Sequence, residues 1–189
     1  MLNRSKTEEG SEMMGWRFFL TGVPGSGKST AFMRCVERFR MLGFTVGGIS
    51  TPEIRSQGRR IGFSVIDLAL DRRALLAGVD VTSKLRVGRY GVDVSGFESV
   101  ALPALDYAEK SCDAICIDEI GRMELFSKDF KRKVEEWMRG PKPMVAVLHR
   151  DYTKVYGGFG ILLSVMPENR DSIPELVVSS LIGHLKHKD

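Results

Sequence analysis

The sequence predicts a single α/β domain, a parallel core with antiparallel strands inserted into it, and three observations predict that class. A glycine-rich run, Gly22-Val23-Pro24-Gly25-Ser26-Gly27-Lys28-Ser29, separates a short apolar run from a stretch of helical periodicity. Short apolar runs alternate with periodic stretches through the second half of the chain. Between the two, residues 44 to 94 read as successive strands with turn residues between them.

Residues 16 to 21 (WRFFLT) suit a buried strand, and 30 to 42 a helix ended by Gly43. Residues 44 to 50 (FTVGGIS) and 60 to 70 (RIGFSVIDLAL) read as strands joined through Ser56-Gln57-Gly58, which has hairpin turn chemistry. Residues 85 to 94 (LRVGRYGVDV) give a further strand. Ser95 with Glu98 fits a capping box, opening a helix that carries Phe97, Leu102, Leu105 and Ala108 in spite of Pro103 near its beginning. Residues 113 to 118 (DAICID) form a short buried strand, 128 to 139 a helix, 144 to 148 a strand and 161 to 165 a last short strand. Ser172 with Glu175 caps a closing helix with Pro174 in its first turn. Residues 16 to 189 are therefore expected to be one domain. The polar residues 1 to 15, without a sustained apolar stretch, are expected to be a disordered extension.

With 189 residues, 43% of them hydrophobic and 28% charged, the chain is long enough for one buried core. No run approaches the roughly 18 apolar residues that span a bilayer, so no membrane partner is expected and the cytoplasm is the expected compartment. Three cysteines, two of them (Cys112 and Cys116) four apart in an apparent strand, suit buried thiols better than a metal site or a disulfide. A net charge of +4 permits nucleic-acid contact without indicating it. Much of the basic charge is local, at Arg55, Arg59, Arg60, Arg72, Arg73, Lys84, Arg86 and Arg89. The polyphosphate of a nucleotide is the nearer explanation. A monomer is expected.

The glycine-rich run fits the G-x4-G-K-S/T pattern, whose glycines let backbone N–H groups wrap a phosphate while the following helix presents its positive end. Gly22, Val23, Pro24, Gly25, Ser26, Gly27, Lys28, Ser29 and Thr30 are thus candidate nucleotide contacts, with Lys28 on the terminal phosphates and Ser29 on Mg²⁺. The apolar run ending in Asp118-Glu119 supplies the second half: Asp118 as a metal ligand and Glu119, one residue beyond the strand, as the carboxylate that activates water. Arg55, Arg59, Arg60 and Arg122 are candidates for neutralising developing charge. His149, at a strand tip, is a candidate γ-phosphate sensor but suits a structural role better, and Tyr152, Tyr156 and Phe159 suit packing better than base stacking.

At these residues the chain resembles a known family. The segments TPEIRSQGRRIGFSVIDL (51 to 68), RVGRYGVDVSGFESVALPAL (86 to 105), ICIDEIGRMELFS (115 to 127) and ENRDSIPEL (168 to 176) are similar to the small P-loop nucleoside-triphosphatases of thermophilic prokaryotes, known in animals as cancer-related nucleoside-triphosphatase. The resemblance covers nearly all of 16 to 189. It implies a RecA-like P-loop NTPase core of the additional-strand, catalytic-glutamate type, and Mg²⁺-dependent hydrolysis of ATP, GTP and other nucleoside triphosphates with weak base discrimination. It also implies that the segment Ala114, Ile115, Cys116, Ile117, Asp118, Glu119, Ile120 and Gly121 joins the phosphate loop in the nucleotide site. Asn169 and Arg170 are candidate contacts near the base, with capping and packing of the final helix as the alternative. The stretch 149 to 166 departs from the family pattern, and Met166-Pro167 stands where members often show a threonine.

Two rival readings share the first motif. A nucleotide or small-metabolite kinase needs an acceptor pocket and a lid that excludes water, whereas adjacent Asp118-Glu119 at a strand end favours hydrolysis. An NTP-dependent, RNA-associated switch rests on the basic stretch 55 to 89 alone.

Overall fold

Along the first strand Phe18 and Leu20 point one way and Phe19 the other, and all three are buried, so this strand is covered on both faces. The computed structural model describes residues 16–185, and the extension expected over 1 to 15 lies outside the described residues. Ten strands form one sheet: β1 (Arg17–Thr21), β2 (Val46–Ser50), β3 (Glu53–Ser56), β4 (Arg59–Asp67), β5 (Arg73–Gly78), β6 (Arg86–Val87), β7 (Tyr90–Val92), β8 (Ala114–Ile120), β9 (Met144–Leu148) and β10 (Ile161–Ser164). Their order is β10-β1-β9-β8-β2-β4-β5-β7-β6, with β3 beside β4. From β10 to β2 all pairings are parallel; β4 then pairs antiparallel with β2 and the rest of the insert continues so. Strand β9 stands between β1 and β8, which is the additional strand the resemblance implies.

Helices α1 (Lys28–Met41) and α4 (Ile173–Leu185) cover one face, burying Phe32, Phe39, Val177 and Leu181 against Phe18 and Leu20. Helices α2 (Val94–Ser111) and α3 (Lys128–Trp137) cover the other, burying Phe97, Leu105, Phe130 and Val134 against Phe19, Ile115 and Ile117. Residues 153–156 add one helical turn where the sequence shows no clear helix. Among the described residues no helix is long and apolar enough to cross a membrane.

Several local expectations are corrected. The Ser56-Gln57-Gly58 turn joins β3 to β4, not 44–50 to 60–70, and the run 85–94 is a tight hairpin of two short strands. Strand β5 was hidden because its preceding turn is built by a side chain: the buried Asp67 carboxylate accepts from the N–H groups of Ala69 (2.9 Å) and Leu70 (3.1 Å). The cap of α2 is Asp93, whose carboxylate accepts from Gly96 N–H at 2.9 Å; Ser95 donates to Asp93, and Glu98 accepts instead from Ser127, the cap of α3. Pro103 lies mid-helix on an exposed position. Ser172 donates to the Asn169 carbonyl rather than capping α4, and Glu175 pairs with Arg38 of α1.

Strand β2 is pressed between neighbours by its glycines. A Cβ on Gly47 would meet the Ala108 Cβ of α2 at 2.7 Å, and one on Gly48, at φ +121, would lie 2.0 Å from the Cys116 carbonyl oxygen of β8. Gly48→Ala is therefore expected to cost about 3 kcal/mol or more, from forced backbone displacement together with a disfavoured φ. Urea denaturation checks it, and a wild-type midpoint would contradict this packing.

Candidate active site

Parallel pairing sets Phe19 of β1, Ala146 of β9 and Ile117 of β8 side by side, so the three strands end at one level. Between Ile117↔Ala146 and Ile120↔Leu148 strand β8 runs three residues against two, a bulge that falls on Asp118 and Glu119. Bulges redirect side chains, and these two carboxylates go to different neighbours. Glu119 lies inside β8 rather than one residue beyond it, a correction to the sequence reading.

The phosphate loop leaves β1 and enters α1 with Gly22, Gly25 and Gly27 at positive φ. A Cβ on Gly22 would sit 2.6 Å from the Val165 carbonyl oxygen, so the loop's start is held by contact as well as by conformation. Lys28 Nζ donates to the carbonyls of Gly22 (3.2 Å) and Val23 (3.1 Å), which keeps the ammonium on the loop. The Ser26 hydroxyl is buried without a partner among the described residues. Ser29 lies close enough to the Asp118 carboxylate to favour its ionised form, which brings the two halves together. A hydroxyl and a carboxylate beside a loop of backbone amides form a hard oxygen donor set, which fits Mg²⁺.

Burial pushes Asp118 up to about 7; the Ser29 hydrogen bond and the Lys28 charge oppose that shift, and the charge of Glu119 adds to it. Glu119 is raised by burial as well, with His149 and Lys28 opposing. A third acid, Glu124, was not singled out from the sequence. It is buried at 4% exposure and pushed up to about 8 by burial first and by the Glu119 charge second, while the N–H groups of Glu124 and Gly121 hold its carboxylate. A Cβ on Gly121 would lie 2.7 Å from Glu119 Oε1 and 2.9 Å from Glu124 Oε2. Only glycine leaves room for both acids, and such a pair titrates as a unit. Its signal in the sequence was the second glutamate of DEIGRME.

The other expected residues separate clearly. Ala114, Ile115, Cys116, Ile117 and Ile120 are core residues of β8, which positions the carboxylates without offering these side chains to a nucleotide. Val23, Pro24, Gly25, Ser29 and Thr30 are exposed on the loop and first helical turn. Arg170 lies across the loop: its Cδ is 2.9 Å from where a Cβ on Gly27 would be. Asn169 is spent on its own turn, accepting from Met166 N–H (2.8 Å) and donating to the Ser164 carbonyl (2.9 Å). Arg55 and Arg60 bind Glu53 on the insert, and Arg122 is exposed. His149 accepts from Asp151 N–H through Nδ1 and acts electrostatically on Glu119. Tyr152 and Tyr156 stack on each other, Tyr156 bonds Glu135, and Arg139 covers Phe159. Cys35, Cys112 and Cys116 are free and buried.

A family model described as NTPase matches residues 17–178. The chain belongs to that NTPase family. It is 37% identical over 170 residues to the nucleoside-triphosphatase THEP1 of Methanocaldococcus jannaschii, covering 90% of this chain and 99% of the relative. The THEP1 of Methanothermobacter thermautotrophicus is 47% identical over 134 residues, 71% of this chain and 76% of its own length. Among solved structures, THEP1 from Aquifex aeolicus superposes with a TM-score of 0.77 at 37% identity, covering 87% of this chain and 98% of that one. A human cancer-related nucleoside triphosphatase superposes with a TM-score of 0.74 at 32% identity, covering 88% and 97%.

The buried acids make folding pH-dependent in a defined sense. A carboxyl raised from 4.5 to about 8 on folding holds a proton that the unfolded chain has released, so stability is present at low pH and falls as pH rises through that window. Glu124→Gln removes this contribution. It is expected to flatten the decline between pH 5 and 8.5, as read by urea midpoints at each pH, and to make the variant the more stable protein at the alkaline end. An unchanged slope would mean that Glu124 is ionised in the fold.

Proposed function

We propose that the protein hydrolyses nucleoside triphosphates to the diphosphate and phosphate in a Mg²⁺-dependent reaction of broad base tolerance, acting as a cytoplasmic monomer. The observation that carries the proposal is a phosphate loop that enters α1 beside the β8 bulge holding Asp118 and Glu119, with Ser29 close enough to Asp118 to favour its ionised form. Membership of an NTPase family supports hydrolysis. Loop amides of 22–29 and the positive end of α1 hold the phosphates, and Lys28 moves from the loop carbonyls to the terminal phosphates. Ser29 and Asp118 would hold Mg²⁺, which when bound supplies positive charge to the phosphate oxygens. Glu119, made more basic by burial, takes a proton from the attacking water as its oxygen bonds to the γ-phosphorus and the bond to the bridging oxygen breaks. Of the candidate arginines, Arg170 is the one lying against the loop, and we assign it to the phosphates rather than to the base.

The two neighbouring carboxylates are expected to fail differently. Glu119→Gln should bind Mg²⁺–NTP with near-normal affinity while kcat falls by about 10² or more. Asp118→Asn should instead raise the Mg²⁺ concentration needed for activity, because an amide oxygen replaces an anionic ligand. Phosphate release across Mg²⁺ titrations, alongside fluorescent-nucleotide binding, separates the two. A wild-type kcat in Glu119→Gln would remove the central residue of this mechanism.

Base tolerance follows from side chains already occupied, the Asn169 amide in its turn and Tyr152 against Tyr156. Purine and pyrimidine triphosphates are expected within about tenfold in kcat/KM, or ~1.4 kcal/mol. A thousandfold preference for one base in parallel assays would overturn this.

A further inference from the structure

The net positive charge of this chain sits in one part of it. Residues 51–92 carry eight Arg or Lys against four acids, Glu53, Asp67, Asp71 and Asp80, so the segment is net +4, the same as the whole chain, and the remainder is balanced. Two of those acids are consumed at the β4–β5 turn, where Asp67 pairs with Arg72 and Asp71 with Arg73, both at 2.8 Å. The excess therefore falls on the two hairpins β3–β4 and β6–β7, as Arg55, Arg59, Arg60, Lys84, Arg86 and Arg89, all exposed.

These cations are organised. Arg89 donates to the Arg60 carbonyl (2.5 Å) and to the Tyr90 hydroxyl (3.2 Å), and Arg86 donates to the Arg89 carbonyl (2.6 Å). Arg60 lies over the rings of Phe63 and Tyr90, 5.2 and 5.6 Å from their centroids. Glu53 pairs with Arg55 and Arg60 and offsets one of these charges, whereas carbonyls and the Tyr90 ring hold Arg86 and Arg89 without cancelling theirs, so the array keeps a preorganised positive excess for an external anion. A basic face that was merely solvated would not need such fixing. Ile61 and Leu85, 37% and 39% exposed, lie among the charges. The patch also begins at the active site. The Thr51 hydroxyl donates to the Asp118 carbonyl at 2.8 Å, and β3 starts two residues later.

We infer that the antiparallel insert is a docking surface for single-stranded nucleic acid, whose phosphodiester backbone crosses the two hairpins beside the end of β8. Guanidiniums recognise phosphates in a forked geometry, which favours a phosphodiester over an acidic protein surface. A groove of a duplex is disfavoured: β3 has four residues and β6 two, and Gln57 is the one amide side chain on the hairpins. A pliable strand brings successive phosphates to cations set on a twisted surface, and Ile61 and Leu85 offer apolar contact to unstacked bases.

The test is fluorescence anisotropy of a labelled oligouridylate of about 15 nucleotides, a length within one strand-binding surface, titrated with the full chain in the absence of nucleotide. Because no turnover is read, the result is independent of the hydrolysis proposal. Binding is expected to weaken with salt, and Arg59→Ala/Lys84→Ala/Arg86→Ala to lose tenfold or more in affinity. The slope of log affinity against log salt should fall by about two, at ~0.7 per single-strand phosphate contact. Lys131→Ala/Arg132→Ala on α3 should bind as wild type. If thermal unfolding shows the triple variant to be misfolded, Arg59→Glu/Lys84→Glu replaces it, with the same loss expected. Undetectable or salt-independent binding, equal weakening by the α3 pair, or tighter binding of a duplex or of polyglutamate would each overturn the inference.

Discussion

Asp118 is buried, yet its carboxylate meets one hydroxyl from the first turn of α1. That contact requires two segments almost a hundred residues apart to arrive at the same height with their side chains on the same face. The β1-β9-β8 pairing sets the height, since Phe19, Ala146 and Ile117 are in register, and strand alternation sets the face. Cys116 and Asp118 share the side covered by α1, while Ile115 and Ile117 point to the other core. A slip of one residue would reverse every one of these assignments. The middles of β1, β8 and β9 are apolar and buried on both faces, so a slip would carry the polar residues at their ends, Arg17 of β1 and Asp118 of β8, into apolar surroundings.

Three acids then crowd one end of that sheet. Glu119 raises the cost of ionising Asp118 and Glu124, Asp118 adds to that of Glu124, and burial raises it for all three. Lys28 and His149 offset part of it, but the Lys28 ammonium also bonds the carbonyls of its own loop. Such a site is held short of positive charge by its construction. A cation entering beside Asp118 favours its ionised form, so binding and deprotonation are linked and a bound cation stabilises the fold. Glu124 fits the same logic. Kept as a neutral acid, it leaves Glu119 as the charged member of the pair and keeps basicity on the residue next to the phosphate loop.

What could be read from the sequence was whatever rests on a residue type with few alternatives. Glycines spaced for positive φ before Lys28 announced the phosphate loop, and an apolar strand ending in two acids announced its partner. The parallel core was legible for the same reason, since strands buried on both faces leave uninterrupted apolar runs. The insert was less so. The turn before β5 is made by the carboxylate of Asp67 rather than by glycine or proline, and the α2 cap went to Asp93 where Ser95 and Glu98 spelled a capping box. In both places a buried or charged acceptor outcompeted the local pattern, and only tertiary contacts decide that competition. Glu124 was illegible for a related reason: an acid in a short turn looks solvated until the Gly121 backbone brings it beside Glu119.

The two ends of the sheet are finished by opposite uses of arginine. At the insert, Arg86 and Arg89 are anchored to carbonyls and left open to solvent. At the other end, Arg17 is buried at 3% exposure and donates to the carbonyls of Trp137, Gly140 and Phe159. Trp137 closes α3 and Gly140 follows it, so the cation sits at the negative end of that helix, where burial lowers its pKa but carbonyl dipoles favour its charge. Gly160 completes the seam, since a Cβ there would lie 2.6 Å from the Arg17 carbonyl oxygen. Arg17 is the first residue of β1, and the phosphate loop follows its last. Anchoring the start of a five-residue strand to three carbonyls fixes how far its other end extends, and the meeting of Ser29 with Asp118 depends on that length.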